Sequence, residues 1–178
     1  MITELVDQQT TPANPLKPHI QSIFNTTHQV IQAMDEVVWT INPKNDTLEN
    51  LANYIFQYAQ EYFQSTTTRC RLDLPAQLPD WVVPTEVRHN LFMAVKEALN
   101  NALKHAAAGE VRIGLAVNEG KISITIADDG RGFVPDAADP SRNGLRNMRE
   151  RLEAIGGRLV LESRPGAGTT ITMEAAVR

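Results

Sequence analysis

The sequence predicts an α/β fold, with two β-hairpins interleaved among amphipathic helices and a helical segment ahead of them. Three observations carry that expectation. Val111, Ile113, Leu115 and Val117 alternate with polar or small residues, a turn follows at Asn118-Glu119-Gly120, and Ile122, Ile124 and Ile126 then alternate with Ser123, Thr125 and Ala127. A period of two marks paired strands with one buried face. Leu159 and Leu161, then Ile171, Met173 and Ala175, repeat the pattern around Arg164-Pro165-Gly166-Ala167-Gly168. Elsewhere apolar residues recur at steps of three and four, the spacing of one helix face.

Taken in order, residues 1–18 are polar and hold Pro12, Pro15 and Pro18, which predicts a frayed element and a loop. Ile20, Ile23, Thr27, Val30, Met34 and Val37 then keep heptad spacing, widened by Phe24, Ile31 and Val38. A helix over about 17–40 with so apolar a stripe wants a partner helix. Pro43 ends it. Asp46, with Glu49 three residues on, predicts a capping pair for a second helix. Its buried face would be Leu48, Leu51, Ile55, Tyr58 and Tyr62. Alternation over 69–74 predicts a strand, 75–84 a loop, and Pro84 or Thr85 opens a long helix. Residues 134–143, with two prolines, predict a mobile loop. Leu145, Met148, Leu152 and Ile155 trace one side of a short helix stopped by Gly156-Gly157.

Bulk properties narrow the class. With 178 residues the chain suits one domain plus an appendage. A hydrophobic content of 42% and charged content of 21% are those of an ordinary soluble globular protein. The net charge of −4 leaves no electrostatic footprint for nucleic acid or a membrane surface. Cys70 is the one cysteine, so no internal disulfide forms and a reducing cytoplasm is expected. Zinc spacing, an export signal and a membrane-length apolar run are all lacking. Any membrane link is expected in sequence outside this chain.

The chemistry concentrates in four places. At about 100° per residue, Glu97, Asn101, Lys104 and His105 share one face of the long helix, while Leu91, Val95, Leu99, Ala102 and Ala106 share the other. One face can enter a core while the other offers an acid, an amide, an ammonium and an imidazole to a common point. Oxygen donors suit a hard cation and an ammonium suits phosphate, which points to a metal–nucleotide guest; an ordinary solvated helix face is the alternative. Asp128 has the strand parity of Ile122, Ile124 and Ile126, so its carboxylate points inward and needs a donor such as an adenine amine. Asp129-Gly130-Arg131-Gly132 follows, allowing close backbone approach or simply ending the strand. Asn143-Gly144-Leu145-Arg146-Asn147 opens a helix whose N-terminus, with the Arg146 side chain, suits phosphate. Gly166-Ala167-Gly168-Thr169-Thr170 is a tight hairpin turn.

Together, in this order, these segments resemble the ATP-binding domain of sensor histidine kinases, within the superfamily shared with DNA gyrase, heat-shock chaperones and mismatch-repair ATPases. Asn101 to His105 is similar to the family's N box, Asp128 to Gly132 to its G1 box, and Gly144-Leu145 to a reduced G2 box. Gly166 to Thr169 is similar to the final glycine-threonine turn. The resemblance runs from about residue 47 to 177 and is nearest to the propeller-sensor branch whose lid helix reads Gly-Leu-x-x-Met-Arg-Glu-Arg, here 144–151. It implies an α/β (α+β) two-layer sandwich of the histidine-kinase/gyrase ATPase type, with a mixed, mainly antiparallel sheet and helices on one face. It also implies ATP and Mg²⁺ as ligands: Asn101 coordinates the metal, Lys104 meets phosphate, and His105 packs near the nucleotide. Asp128 takes the adenine amine with Thr169 in support. Gly130, Gly132, Gly144 and Gly168 shape pocket and lid, with Leu145 and Arg146 beside them. Glu97 stands where the gyrase branch keeps its water-activating carboxylate, and is the catalytic candidate.

A histidine kinase also needs a phosphoacceptor, usually His followed by an acid. The four histidines here precede Ile20, Gln29, Asn90 and Ala106, so none matches, and His28 reads as a polar-face helix residue. Residues 1–46 therefore resemble part of a dimerisation and phosphotransfer hairpin with its connector, the 17–40 helix being its second helix, and 47–178 the catalytic domain. Trp39 reads as core of that connector rather than hinge. Residues 1–9 read as a remnant of the first helix. The expectation is a cytoplasmic portion of a membrane-bound sensor, unable to phosphorylate itself, dimeric through its N-terminal helices, with a response regulator downstream. Its rivals are a gyrase- or chaperone-like ATPase using Glu97, an anti-sigma-factor serine kinase, and a dimeric scaffold that binds nothing.

Overall fold

The computed structural model describes residues 17–135 and 143–177. The chain divides into two units, one ending at Ile41 and one beginning at Asn42. The described residues of the first unit form a single helix, α1 (Lys17–Ile41), as the heptad pattern predicts. Pro18 is tolerated because the first helical turn has no amide bonds to lose. Its apolar stripe, including Ile20, Ile23, Phe24, Val30, Met34 and Val37, is exposed, while Trp39 is half-buried. The side chain of His28 and the whole of residues 1–16 lie outside the described residues.

The second unit begins with a 3₁₀ turn (Pro43–Asn45) in which Asn42 Oδ1 accepts from the Lys44 amide at 3.1 Å. Helix α2 (Leu48–Phe63) follows, and its start differs from the expected Asp46/Glu49 pair. Thr47 caps it, its hydroxyl accepting from the Asn50 amide at 3.2 Å. Asp46 is engaged elsewhere, by the Arg88 guanidinium. The buried face of α2 is Leu48, Leu51 and Ile55, joined by Ala52, Phe56, Ala59 and Phe63. Tyr58 and Tyr62, expected inside, are half-buried at its edge. Tyr58 stacks on Tyr62 (5.6 Å between ring centroids) and meets Phe92 edge-on at 5.2 Å. A phenol seeks a polar partner for its hydroxyl, and a border position supplies one.

Among the described residues five strands form one sheet in the order β1-β2-β3-β5-β4. They are β1 (Arg69–Asp73), β2 (Glu110–Asn118), β3 (Lys121–Asp128), β4 (Arg158–Ser163) and β5 (Thr169–Ala176). β1 runs parallel to β2 and every other pairing is antiparallel, so the sheet is mixed and mainly antiparallel as expected. Glu119 and Gly120 both have positive φ (48° and 78°), the two-residue turn whose twist matches a hairpin. Val111, Ile113, Leu115, Ile122, Ile124, Ile126, Ile171, Met173 and Ala175 are buried on one face.

Helix α3 (Thr85–Asn101) presents Leu91, Val95 and Leu99 to that core. It does not continue regularly. Ala102–Ala106 forms a π turn, closed by Ala107 in the left-handed region at φ 52°. Such widened turns are rare and cluster at functional sites. Helix α4 (Asn143–Ala154) buries Met148 and Leu152 completely. It ends as Gly156-Gly157 predicts: Gly157 N donates to Leu152 O at 2.8 Å and Gly156 N to Glu153 O at 3.0 Å, with φ 66° at Gly156. Of the loop expected at 134–143, residues 136–142 lie outside the described residues.

Candidate functional site

Between α3, the sheet end and the start of α4 lies a partly open cavity of about 680 Å³, a size suited to a small-molecule ligand. The polar face of α3 and its π turn contributes Glu97, Asn101, Lys104 and His105. They meet there because one helix turn separates Glu97 from Asn101 and the π turn carries Lys104 and His105 onward along the same wall. Asp128 and Thr169 face them from neighbouring strands, paired in register at the ends of β3 and β5. Gly144 and Leu145 line the cavity from the first turn of α4, and Gly132 from the loop after β3.

Three predicted positions stand off the lining. Gly130 and Gly168 form the backbone behind it. A Cβ on Gly130 would collide with the Ala106 carbonyl, and one on Gly168, at φ 76°, with the Asp128 carbonyl. Arg146 faces solvent and pairs with Glu150 at 3.6 Å, one turn along the outer side of α4. Lining residues that were not singled out as site residues in the sequence include Asn100, Arg131, Phe133 and Ile171. Asn100 and Ile171 lie beside predicted positions on the same helix and strand, so only the fold shows that they share the cavity.

The cavity has a direction. At one end Ala106 O accepts the Arg131 amide at 2.8 Å and a side chain on Gly130 would touch Ala106, so the helix end abuts the Asp128 turn. At the other end Gly144 packs on the Glu97 carboxylate, with Asn101 Nδ2 3.4 Å from where a Cβ would stand. An acid-and-apolar end, with Asp128, Ile126 and Ile171, thus lies opposite an end built from Glu97, Asn101 and the N-terminus of α4.

The two adjacent acids divide their work. Asp128 Oδ1 accepts from the Gly130 amide at 2.9 Å. Burial pushes its carboxyl pKa up, and the Gly130 and Thr169 amides pull against that. Asp129, of opposite strand parity, leaves the cavity and accepts from the amides of Gly109 (2.8 Å) and Glu110 (2.9 Å). The Glu110 amide first, then that of Gly109, holds its carboxyl below the usual range. Asp129 therefore clamps β2 to the end of β3, a role the sequence analysis missed.

Ser163 was also missed. Its hydroxyl accepts from the Phe133 amide at 2.9 Å, donates to Gly168 O at 3.1 Å, and lies 2.9 Å from the Thr169 hydroxyl. With its one proton committed to Gly168, Ser163 accepts from Thr169. Thr169 then presents oxygen lone pairs toward the cavity, an acceptor beside the acceptor Asp128. That pairing suits a ligand amine or a bridging water.

Residues 86–178 match the family described as histidine kinase-, DNA gyrase B- and HSP90-like ATPases. The chain belongs to this ATPase family. It is similar to the sensor histidine kinase LiaS of Bacillus subtilis, at 31% identity over 106 residues that cover 60% of this chain and 29% of LiaS. It is also similar to the nitrate/nitrite sensor protein NarX of Escherichia coli, at 33% over 100 residues, 56% of this chain and 17% of NarX. The chain thus spans less than a third of these relatives. A solved structure of the blue-light activated histidine kinase from Erythrobacter litoralis covers 88% of this chain and 50% of its own, with a TM-score of 0.64 and 24% identity. The catalytic domain of histidine kinase ThkA covers 73% of this chain and 92% of its own at a TM-score of 0.59 and 13% identity; both likenesses show the shared fold. The matched region of this ATPase is the ATP-binding catalytic domain of the sensor-histidine-kinase type.

Mg²⁺ needs few protein ligands, since it keeps waters and takes substrate phosphate oxygens. A single amide oxygen at Asn101, with the Glu97 carboxylate one turn away, fits that demand. Among the described residues no cluster of three or more His, Cys, Asp or Glu could cage a metal alone.

Proposed function

We propose that this domain binds Mg·ATP in the α3 cavity and presents its γ-phosphate to a phosphoacceptor histidine other than the four in this sequence, within two-component signalling. The observation that supports it is the placement of Asp128 and Asn101 on one cavity between its two ends. Asp128 and Thr169 accept from the adenine amine, directly or through water. Asn101 and Glu97 offer oxygen to Mg²⁺, which when bound neutralises phosphate charge. Lys104 adds an ammonium. Gly144 brings the amides at the start of α4 against the phosphates with no side chain in the way. Catalysis is then positioning and charge neutralisation rather than covalent chemistry.

In the same reading, α1 pairs with another helix through its exposed heptad stripe in a dimer, residues 1–46 belong to the phosphotransfer hairpin and connector, and a response regulator takes the phosphoryl group onward. No described helix is long and apolar enough to cross a membrane. Calorimetry with ATP and ADP tests the site, and no heat at millimolar ligand would refute it. Radiolabelled ATP tests the acceptor: the chain should bind it without gaining acid-labile label, and label mapping to His28 would overturn that part.

A second reading has one supporting observation, the Glu97 carboxylate packed against Gly144 at the phosphate end. There it could activate water, as in a gyrase-like ATPase. Steady phosphate release that collapses in Glu97→Gln, with nucleotide binding retained, would favour it; no turnover at saturating ATP removes it.

A further inference from the structure

One amide on the α3 wall has its orientation set from behind, by a residue on another helix. Asn100 lines the cavity beside Asn101, and Tyr62 of α2 donates its phenolic proton to Asn100 Oδ1 at 3.1 Å. The Tyr62 ring is held by Tyr58, stacked at 5.6 Å, and by Phe63, edge-on at 5.5 Å. Burial, and after it the Glu97 carboxylate, push the Tyr62 pKa up. The phenol therefore keeps its proton and acts as the donor. With Oδ1 turned to Tyr62, the other arm of the amide, Nδ2 with two N–H donors, serves the cavity.

Position along the wall says what those donors meet. α3 and its π turn run from Glu97, against Gly144, to Ala106, against Gly130. Asn100 stands in the half nearer Glu97, three residues after Glu97 and six before Ala106. That is the end away from Asp128. If the base sits at Asp128, the group reaching Asn100 is the far end of the phosphate chain, and N–H donors to phosphate oxygens are charge-assisted and strong.

We infer that Asn100 binds the terminal phosphate of a nucleoside triphosphate and that Tyr62 is the residue positioning it, the pair giving this cavity its preference for triphosphate over diphosphate. The inference rests on the ATP reading proposed above.

The test compares a non-hydrolysable ATP analogue with ADP, each with Mg²⁺, by calorimetry on the whole chain. Asn100→Ala weakens the triphosphate analogue about tenfold or more and ADP less than about twofold, the loss of one hydrogen bond to a charged group. Tyr62→Phe keeps every ring contact and moves the same ratio in the same direction by a smaller factor. The double variant is no worse than Asn100→Ala, because Tyr62 acts through Asn100. Asn100→Asp keeps the acceptor for Tyr62 but sets a carboxylate against phosphate, and loses the triphosphate most. Melting temperatures without nucleotide fall by a similar small amount in Asn100→Ala, Tyr62→Phe and the double variant, which all lose the one Tyr62–Asn100 bond, so the triphosphate-to-diphosphate ratio is the readout that a purely structural role would leave unmoved. If the parent chain binds both nucleotides and their affinity ratio is unchanged in Asn100→Ala and Tyr62→Phe, or both nucleotides weaken in parallel, the inference is overturned while the ATP site stands. If the parent binds neither, the site reading itself fails and takes the inference with it.

Discussion

Arg88 and Asp46 are paired across the second unit: a guanidinium with no solvent exposure meets a carboxylate that is 36% exposed. Arg88 sits on the first turns of α3, and Thr85 also accepts from it at 3.1 Å. Asp46 lies in the connector, where its carbonyl accepts the Val83 amide at 2.7 Å and the Leu48 amide donates to Trp81 O at 3.0 Å. The ion pair thus pins the entry of α2 to the start of the helix that carries Glu97 and Asn101.

Removing one partner of a buried pair leaves the other charge without its counter-ion. Asp46→Ala is therefore expected to cost on the order of 2–3 kcal/mol, reduced from the fully buried case because the carboxylate is partly solvated. Arg88→Met, which fills the space with an apolar chain, costs less. Urea unfolding of both variants checks this, and a midpoint for Asp46→Ala no lower than that of Arg88→Met would contradict it.

Asp128→Asn separates stability from binding. A carboxyl whose pKa is raised by burial contributes stability that is fully present below the unfolded pKa and is lost as pH rises through the folded value. Near neutral pH the wild-type chain carries that cost and the amide does not. Without nucleotide, Asp128→Asn should melt at or above the wild-type temperature at neutral pH, and its advantage should shrink under acid. With Mg·ATP at about 100 times the dissociation constant, the wild type should gain about 2.7 kcal/mol and the variant almost nothing. A variant that keeps the full ligand shift would remove Asp128 from base recognition.

Asp129 should behave in the opposite sense. Its pKa is lowered by the Glu110 and Gly109 amides, so its contribution is present above the unfolded pKa and fades as pH falls through the folded one. Asp129→Ala should melt below wild type at neutral pH, with the gap closing in acid. A gap that is constant with pH would mean that the clamp is not electrostatic.

Gly168 and Gly144 predict different kinds of damage. Gly168→Ala faces a left-handed φ of 76° and the Asp128 carbonyl, so folding stability should fall by roughly 1–3 kcal/mol. Gly144→Ala meets the Glu97 carboxylate instead, the movable end of a side chain. The fold should survive while α4 is displaced from α3 and ATP binding weakens. Equal melting losses in the two variants would contradict the distinction.

Much of this molecule was legible from local chemistry. The alternating runs around Asn118 and Arg164 and the heptad steps of 17–40 specify their own elements, because backbone geometry repeats at fixed periods. The glycine pair at 156–157 announces its helix stop for a similar local reason. Asp128 could be read as inward-facing from strand parity alone. Asp46 could not be read correctly: its neighbours describe a helix cap, and only the arrival of Arg88 from α3 takes the carboxylate away.

Contacts of that kind depend on which distant segments meet, and no local period encodes them. Ser163 orienting Thr169, Asp129 clamping Gly109 and Glu110, Tyr62 turning Asn100, and the π turn at 102–106 all belong to this class. The sequence by itself determined the main helices and strands, their buried faces apart from Tyr58 and Tyr62, and the identity of the polar clusters. The tertiary structure alone decided that those clusters share one directed cavity and that Arg146 faces away from it. Burial and hydrogen-bond satisfaction are settled only once separate elements close on one another.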